Sequence, residues 1–282
     1  MLSVGSSFLG AIHAAQNNLY NVSLRMAESS VRLATAKRIN RGRDDPAGLI
    51  AYGQLEREFN DLQKLSESAD RARRTARAAD GGLSLVNDLL NRVRGNVVEA
   101  TSSTTSAEQR NALQIEIDAA LDAVDLIRNI TRSSGQRLLD GTATIRVGTS
   151  DAAALSLPNV SSTSLGGASG SLNDLRSGDD ASLAKDSAAA FEIVNDAQDQ
   201  VSNFRAEIGA FERATIDSTK EIALRTSENI AQAKSQIGDT DFSTEIVNLI
   251  KAEMSAKATF AALRTILDTE KGMLGALFDT IR

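Results

Sequence analysis

The sequence predicts a mainly α-helical chain, an elongated antiparallel helical bundle or coiled coil with a small β-hairpin region in the middle. Three observations carry that expectation. Aromatic residues make up 4% of the 282 residues, Trp is absent and there are 2 prolines, so ring volume for a wide core is scarce and few positions bar a helix. Two long stretches repeat apolar or small residues at alternating spacings of three and four, the pattern of a helix-packing seam. Between them, residues 141–175 turn to Thr, Ile, Val and paired glycines, which suit short strands and turns.

Residues 1–36 read as a moderately amphipathic helix, with Leu19, Val22, Met26 and Leu33 on one side. Lys37 to Ile50 is a compact, charged break. Asn40 and Gly42 suit positive φ there, Asp44 or Asp45 can cap a new helix, and Pro46 fits its first position, where a missing N–H is harmless. The first seam then runs Leu62, Leu65, Ala69, Ala72, Ala76, Ala79, Leu83, Val86, Leu90, Val93, Val97 and Ala100. As one helix it would be about 58 Å long at ~1.5 Å per residue. Gly81-Gly82 is its weak point, since an interior glycine costs roughly 1 kcal/mol relative to Ala. A Ser/Thr linker at 101–106 leads to a second helix, with Leu113, Ile117, Ala120, Val124 and Ile127 on one face. It ends before Ser133-Ser134-Gly135, and one or two β-hairpins are expected after it.

The second seam passes through Leu183, Ser187, Ala190, Val194, Ala197, Val201, Phe204, Ile208, Phe211, Thr215, Ser218 and Ile222. Its phase shifts near residue 225, continuing through Thr226, Ile230, Ala233 and Ile237. Gly238 is a C-terminal glycine, and Asp239-Thr240-Asp241 supplies a fresh cap. The last helix carries Ile246, Leu249, Ile250, Leu263 and Leu267 and ends on Leu274, Leu277, Phe278 and Ile281. Two seams of matching length in one chain most simply pack on each other, which brings the two breaks side by side. Lys37, Arg38, Arg41 and Arg43 would then face Asp239, Asp241 and Glu245.

Several function classes are excluded. Cysteine is absent and His13 is the single histidine, so thiolate catalysis, disulfides and His-based zinc pairs have no residues to build on. No glycine-rich phosphate loop is present and no cofactor is implied. No stretch approaches the roughly 18 apolar residues of a membrane span, and the first residues lack the basic start and apolar core of a Sec-type signal. Net charge is −6, but residues 1–100 hold 14 Lys/Arg against 11 Asp/Glu, and residues 170–245 hold 7 against 15. Arg71, Arg73, Arg74 and Arg77 therefore read as partners for acidic groups such as Asp196, Asp199 and Glu207 rather than as a nucleic-acid surface.

The wording of several segments is more specific than their periodicity. Arg38-Ile39-Asn40 followed by Asp44-Asp45-Pro46-Ala47-Gly48-Leu49 resembles a signature of bacterial flagellin. Gln16-Asn17-Asn18-Leu19, Leu90-Asn91-Arg92-Val93-Arg94 and the run from Ile237 to Asn248 are similar to other flagellin segments, in the same order. The resemblance implies a subunit of the extracellular flagellar filament that self-assembles, alone or with other flagellins, its terminal helices folding on assembly. By resemblance the partners are the type III export apparatus, an export chaperone, and hook-associated junction and cap proteins.

It also implies a division of the chain. Residues 1–36 and 246–282 are inner-tube helices, and 37–50 and 238–245 form a spoke. Residues 51–135 and 181–237 form the outer tube, with 136–180 as hairpins. The spoke residues are Arg38, Asn40, Arg41, Gly42, Asp44, Asp45, Pro46, Gly48, Gly238, Asp239, Asp241 and Glu245. Arg92 and Glu116 match the surface read by the animal Toll-like flagellin receptor, but Gly95 and Asn96 depart from it. The alternatives are a hook–filament junction protein and a cytosolic coiled-coil adaptor.

Overall fold

The 2 prolines, at positions 46 and 158, stay out of helix interiors, so the backbone ladder runs on over long stretches. A computed structural model describes residues 2–149 and 153–280, with the side chains of residues 2–8, 274 and 277–280 outside that description. The helices are α1 (Leu2–Thr35), α2 (Pro46–Ala100), α3 (Ala107–Ile130), α4 (Ser187–Phe211), α5 (Ser218–Gly238) and α6 (Phe242–Thr280), with a π-helical turn at Glu212–Asp217. The chain divides into two compact units. One comprises Met1–Phe59 with Asn229–Arg282, the other Asn60–Glu228.

In the unit of residues 60–228, the first seam is buried along α2. Leu83, Val86, Leu90, Val93 and Val97 are fully enclosed, while Leu62 and Leu65 nearer its start are half-buried. Enclosing a Leu or Val side chain stabilises the fold by about 1.5–3 kcal/mol. Gly82 sits in this core because a Cβ there would lie 2.8 Å from Thr131 Oγ1 and 3.0 Å from Leu139 Cδ1. The glycine that weakens α2 locally lets the segment after α3 approach it, and α2 continues through it unbroken.

Val194, Val201 and Ile208 of the second seam are buried, and Phe204 and Phe211 are half-buried against the same core. Polar pairs fix how the seams meet. Arg94 lies 5.5 Å from the Phe191 ring centre, Gln198 donates to Asn91 at 2.8 Å, Arg205 pairs with Asp80 at 2.8 Å, and Arg77 pairs with Glu212 at 3.1 Å. Numbers fall along α2 as they rise along α4, so the two helices are antiparallel.

Two expectations are corrected here. Ile222 is 63% exposed, and Ile216 and Ala223 are enclosed instead. The π turn inserts one residue, so the phase moves at 212–217 rather than near 225. The basic cluster has other partners than expected: Arg73 pairs with Asp70, Glu212 and Asp217, and Arg77 with Glu212. The hairpin region holds the two hairpins expected within 141–175, and a further strand pair precedes it at 132–137.

Those pairs are all antiparallel. Arg132–Ser133 (β1) pairs with Gln136–Arg137 (β2) across a tight turn in which Ser134 and Gly135 both take positive φ. Thr144–Arg146 (β3) pairs with Ala154–Ser156 (β4), placing Ile145 opposite Leu155. Gly166–Gly167 (β5) pairs with Gly170–Ser171 (β6). Leu138, Leu139, Ile145, Leu165, Leu172 and Leu175 from this region are enclosed in the core.

Polar groups, Gln114 the most buried of those on α3, tie the region to α3. Gln114 donates to Leu175 O at 2.7 Å and accepts from Leu183 N at 2.9 Å, so its amide is satisfied from both sides. Asp125 accepts from the backbone and hydroxyl of Ser162, and Arg176 pairs with Asp122 at 2.8 Å. Asp186 caps α4 through Ala188 N and Ala189 N.

Candidate functional site

The two charged breaks and the helices they lead to make up the other unit, residues 1–59 and 229–282. Local chemistry builds the first break. Asp44 accepts from the backbone N–H groups of Asn40 (3.0 Å) and Arg41 (2.8 Å), closing a turn. Those two backbone bonds hold its carboxyl below the usual carboxylate range. Asp45 accepts from Gly48 N at 2.8 Å, so of the two candidate caps it is Asp45 that starts α2, immediately before Pro46. The positive φ expected of Asn40 and Gly42 falls on Ala36 instead, at 56°, because the chain must reverse directly after α1 to meet the second break.

The second break is built the same way. Asp241 accepts from Ser243 N at 3.0 Å and Thr244 Oγ1 at 2.6 Å, capping α6 and lowering its own pKa through those bonds. Gly238 does not take positive φ. It is needed because a Cβ there would fall 2.6 Å from Tyr52 Cε2.

Backbone hydrogen bonds join the breaks. Arg38 N donates to Gly238 O at 2.7 Å, Thr240 N donates to Ala36 O at 3.0 Å, and Lys37 and Asp239 face each other as an antiparallel bridge. The ammonium groups of Lys37 and Lys234 lie 5.9 and 5.3 Å from the Tyr52 ring centre, and Lys234 also pairs with Glu56. Tyr52 thus fills the corner beside Gly238.

Lys37 faces Asp239 as expected, through the backbone bridge, but Glu245 and Arg43 take other partners. Glu245, 6% exposed, lies 3.7 Å from Arg32 of α1, and Arg43 pairs with Glu28 at 3.6 Å. Asp241 is spent on its cap. Backbone geometry, rather than side-chain charge, holds the breaks together.

Beyond them α1 and α6 lie against each other, antiparallel: Asn18 donates to Thr259 at 3.3 Å at one level, and Arg32 meets Glu245 at another. Val22, Ser29, Ala252 and Thr259 are buried in the contact, and Leu19, Met26, Leu33, Leu249 and Leu263 are half-buried. Ile246, Ile250 and Leu267 are exposed. The side chains of Leu274 and Phe278 lie outside the described residues. Sequence periodicity on α6 missed how little of its apolar surface a single partner helix covers. Phe242, Val247, Met254 and Phe260 are also more than 40% exposed, as are Leu9, Tyr20 and Leu24 on α1.

In the other unit, Asn96 donates to Glu116 at 3.0 Å, linking α2 to α3. Arg92 lines a shallow groove with Leu85, Leu89, Ala123 and Ile127. No group of His, Asp or Glu suited to a metal occurs among the described residues, and no described helix is long and apolar enough to cross a membrane.

Comparison with known proteins gives these features a context. Residues 7–144 match the bacterial flagellin N-terminal helical region, and residues 191–274 the bacterial flagellin C-terminal helical region. A flagellin of Bacillus subtilis (strain 168) is 28% identical, over 89% of this chain and 93% of its own. A flagellar filament 30.7 kDa core protein of Treponema maltophilum is 25% identical, over 82% of this chain and 85% of its own. Among solved structures, a suggested flagellar hook-associated protein from Vibrio parahaemolyticus superposes with a TM-score of 0.60 over 70% of this chain and all of its own, at 16% identity. That last likeness is one of fold.

Proposed function

This chain belongs to the bacterial flagellin family, and we propose that α1, α6 and the paired breaks form the surface through which it polymerises. It is a structural subunit of the flagellar filament and not an enzyme. The observation that carries the assembly reading is the apolar surface left open on the terminal helix pair, including Ile246, Ile250 and Phe260. Two helices alone cannot cover each other's apolar faces, and neighbouring copies in a helical polymer supply what is missing.

Terminal helices with one partner each are marginal in water, so they complete their folding on joining the filament. Contacts of this kind are heterologous and repeat without closing, which yields an open helix of subunits. In this reading residues 1–36 and 246–282 line the inner tube, 37–50 and 238–245 are the spoke, and 51–135 with 181–237 form the outer tube beside the 136–180 hairpins. The subunit leaves the cell through the type III export apparatus with an export chaperone. In the extracellular filament it meets junction and cap proteins, and it can copolymerise with other flagellins.

Electron microscopy of polymer grown from the purified chain tests this. Long tubes with α1 and α6 around the axis are expected. Short collars would point to a junction protein, and persistent monomers or small oligomers to an adaptor.

A further inference from the structure

The π-helical turn at Glu212–Asp217 sits between α4 and α5. Such turns are rare within long helices and each accommodates one additional residue. Upstream, the enclosed positions Val194, Val201 and Ile208 recur every seven residues; the next enclosed positions are Ile216 and Ala223, one residue late. The facing part of α2 has no matching insertion, since Ala69, Ala72, Ala76, Ala79 and Leu83 keep their three-four spacing, all enclosed. The extra residue therefore belongs to one partner only.

The sequence also carries the other register. Without the insertion, the line through Phe204, Ile208 and Phe211 continues onto Thr215, Ser218 and Ile222. In the structure Ile222 is left 63% exposed. One α-helical residue corresponds to a rotation of about 100° and a rise of about 1.5 Å. Absorbing the π turn would rotate the following segment by that angle and bring Ile222 in as Ala223 moves out.

Side chains from α2 grip the turn in its present form. Arg73 pairs with Asp217 and with Glu212 (3.8 Å), Arg77 pairs with Glu212 (3.1 Å), and Lys220 reaches Asp70 at 2.5 Å. The grip is imperfect, because Arg73 Nε is buried without a hydrogen-bond partner, and an unsatisfied buried donor weakens the state that contains it.

We propose that the Glu212–Asp217 turn is a register switch. The segment after it exchanges between a π register, with Ile216 and Ala223 against α2, and an all-α register, with Thr215, Ser218 and Ile222 there. Arg73 latches the π register. Packed interfaces favour discrete alternatives of this kind over continuous deformation.

The chain has no cysteine, so a single introduced thiol reports burial cleanly. Labelling with N-ethylmaleimide is compared at Ala223→Cys, after the turn, and at Val201→Cys, before it. Ala223→Cys should label faster than Val201→Cys. Arg73→Ala should raise the rate at position 223 several-fold without changing that at 201. Deleting Thr215 removes the extra residue while keeping Ile216 and Ala223 in phase, and should slow labelling at 223 by about tenfold, to the level set by opening of the whole unit. Equal rates at 223 and 201 in every background would overturn the proposal. If the deletion does not fold, the ratio of the two rates with and without Arg73→Ala decides alone.

Discussion

The backbone N–H of Arg38 donates to the carbonyl oxygen of Gly238 at 2.7 Å, joining breaks from opposite ends of the chain. Tyr52 packs so closely beside Gly238 that a Cβ would sit 2.6 Å from its ring. Gly238→Ala should therefore destabilise the bridge by about 1–3 kcal/mol, the usual range for overpacking. Tyr52→Leu in the same chain should recover part of the loss. Sedimentation of polymer, with far-ultraviolet circular dichroism as a check on the monomer, measures both. Undiminished polymer from Gly238→Ala alone would show that the close contact is not needed.

Residues on either side of the π turn separate the two readings of the second seam. Ile216→Ala opens a cavity at an enclosed site and should lower stability by about 2–5 kcal/mol. Ile222→Ala, at a 63% exposed site, should stay within roughly 0.5 kcal/mol of the parent. Leu90→Ala serves as the fully buried reference. Denaturant titration of the three variants orders them, and a larger loss at Ile222 than at Ile216 would reverse the phase assignment.

Acid should weaken the fold in a defined window. Asp70 is held below the usual carboxylate range first by its hydrogen bond from Lys220, Asp44 by the backbone of Asn40 and Arg41, and Asp241 by Thr244 and Ser243. A group whose folded pKa is depressed contributes stability above its unfolded pKa, about 3.9 for Asp, and loses it as pH falls through the folded value. Thermal midpoints should thus be flat above about pH 5 and fall below about pH 4. Asp241→Asn keeps a good cap but removes one titrating group, so its midpoint should fall less steeply. An identical acid slope would remove Asp241 from the account.

We propose that the α2–α3 face, with Gly95 and Asn96 in it, is a poor ligand for the animal flagellin receptor. Asn96 donates to Glu116 at 3.0 Å and so occupies that carboxylate. We expect purified monomer to activate the animal flagellin receptor weakly in reporter cells, and Gly95→Glu with Asn96→Leu to raise the response. A potent response from the parent chain would contradict this.

The breaks and seams were legible in the sequence because their causes are local. Asp45 before Pro46 specifies a helix start by itself, and three-four spacing specifies a buried face. What could not be read depended on both sides of a contact. Ala36 takes the positive φ because Thr240 N must reach its carbonyl, and no property of Ala announces that. Glu245 is buried beside Arg32 rather than facing the break, since the antiparallel packing of α1 on α6 sets its partner. The seam's phase was recoverable: Ile216, Ala223, Ile230 and Ile237 recur every seven residues. The line from Phe211 onto Ile222 competes with it in the sequence, and burial decides between the two at Ile216 and Ala223.

The central claim is that the terminal helices drive polymerisation while the unit of residues 60–228 folds without them. Deleting residues 247–282 tests it most directly, with electron microscopy and analytical ultracentrifugation as readouts. The expected product is a soluble monomer with a cooperative melt and no filaments at concentrations where the full chain forms long tubes. Filaments of normal length and diameter from the truncated chain would contradict the account.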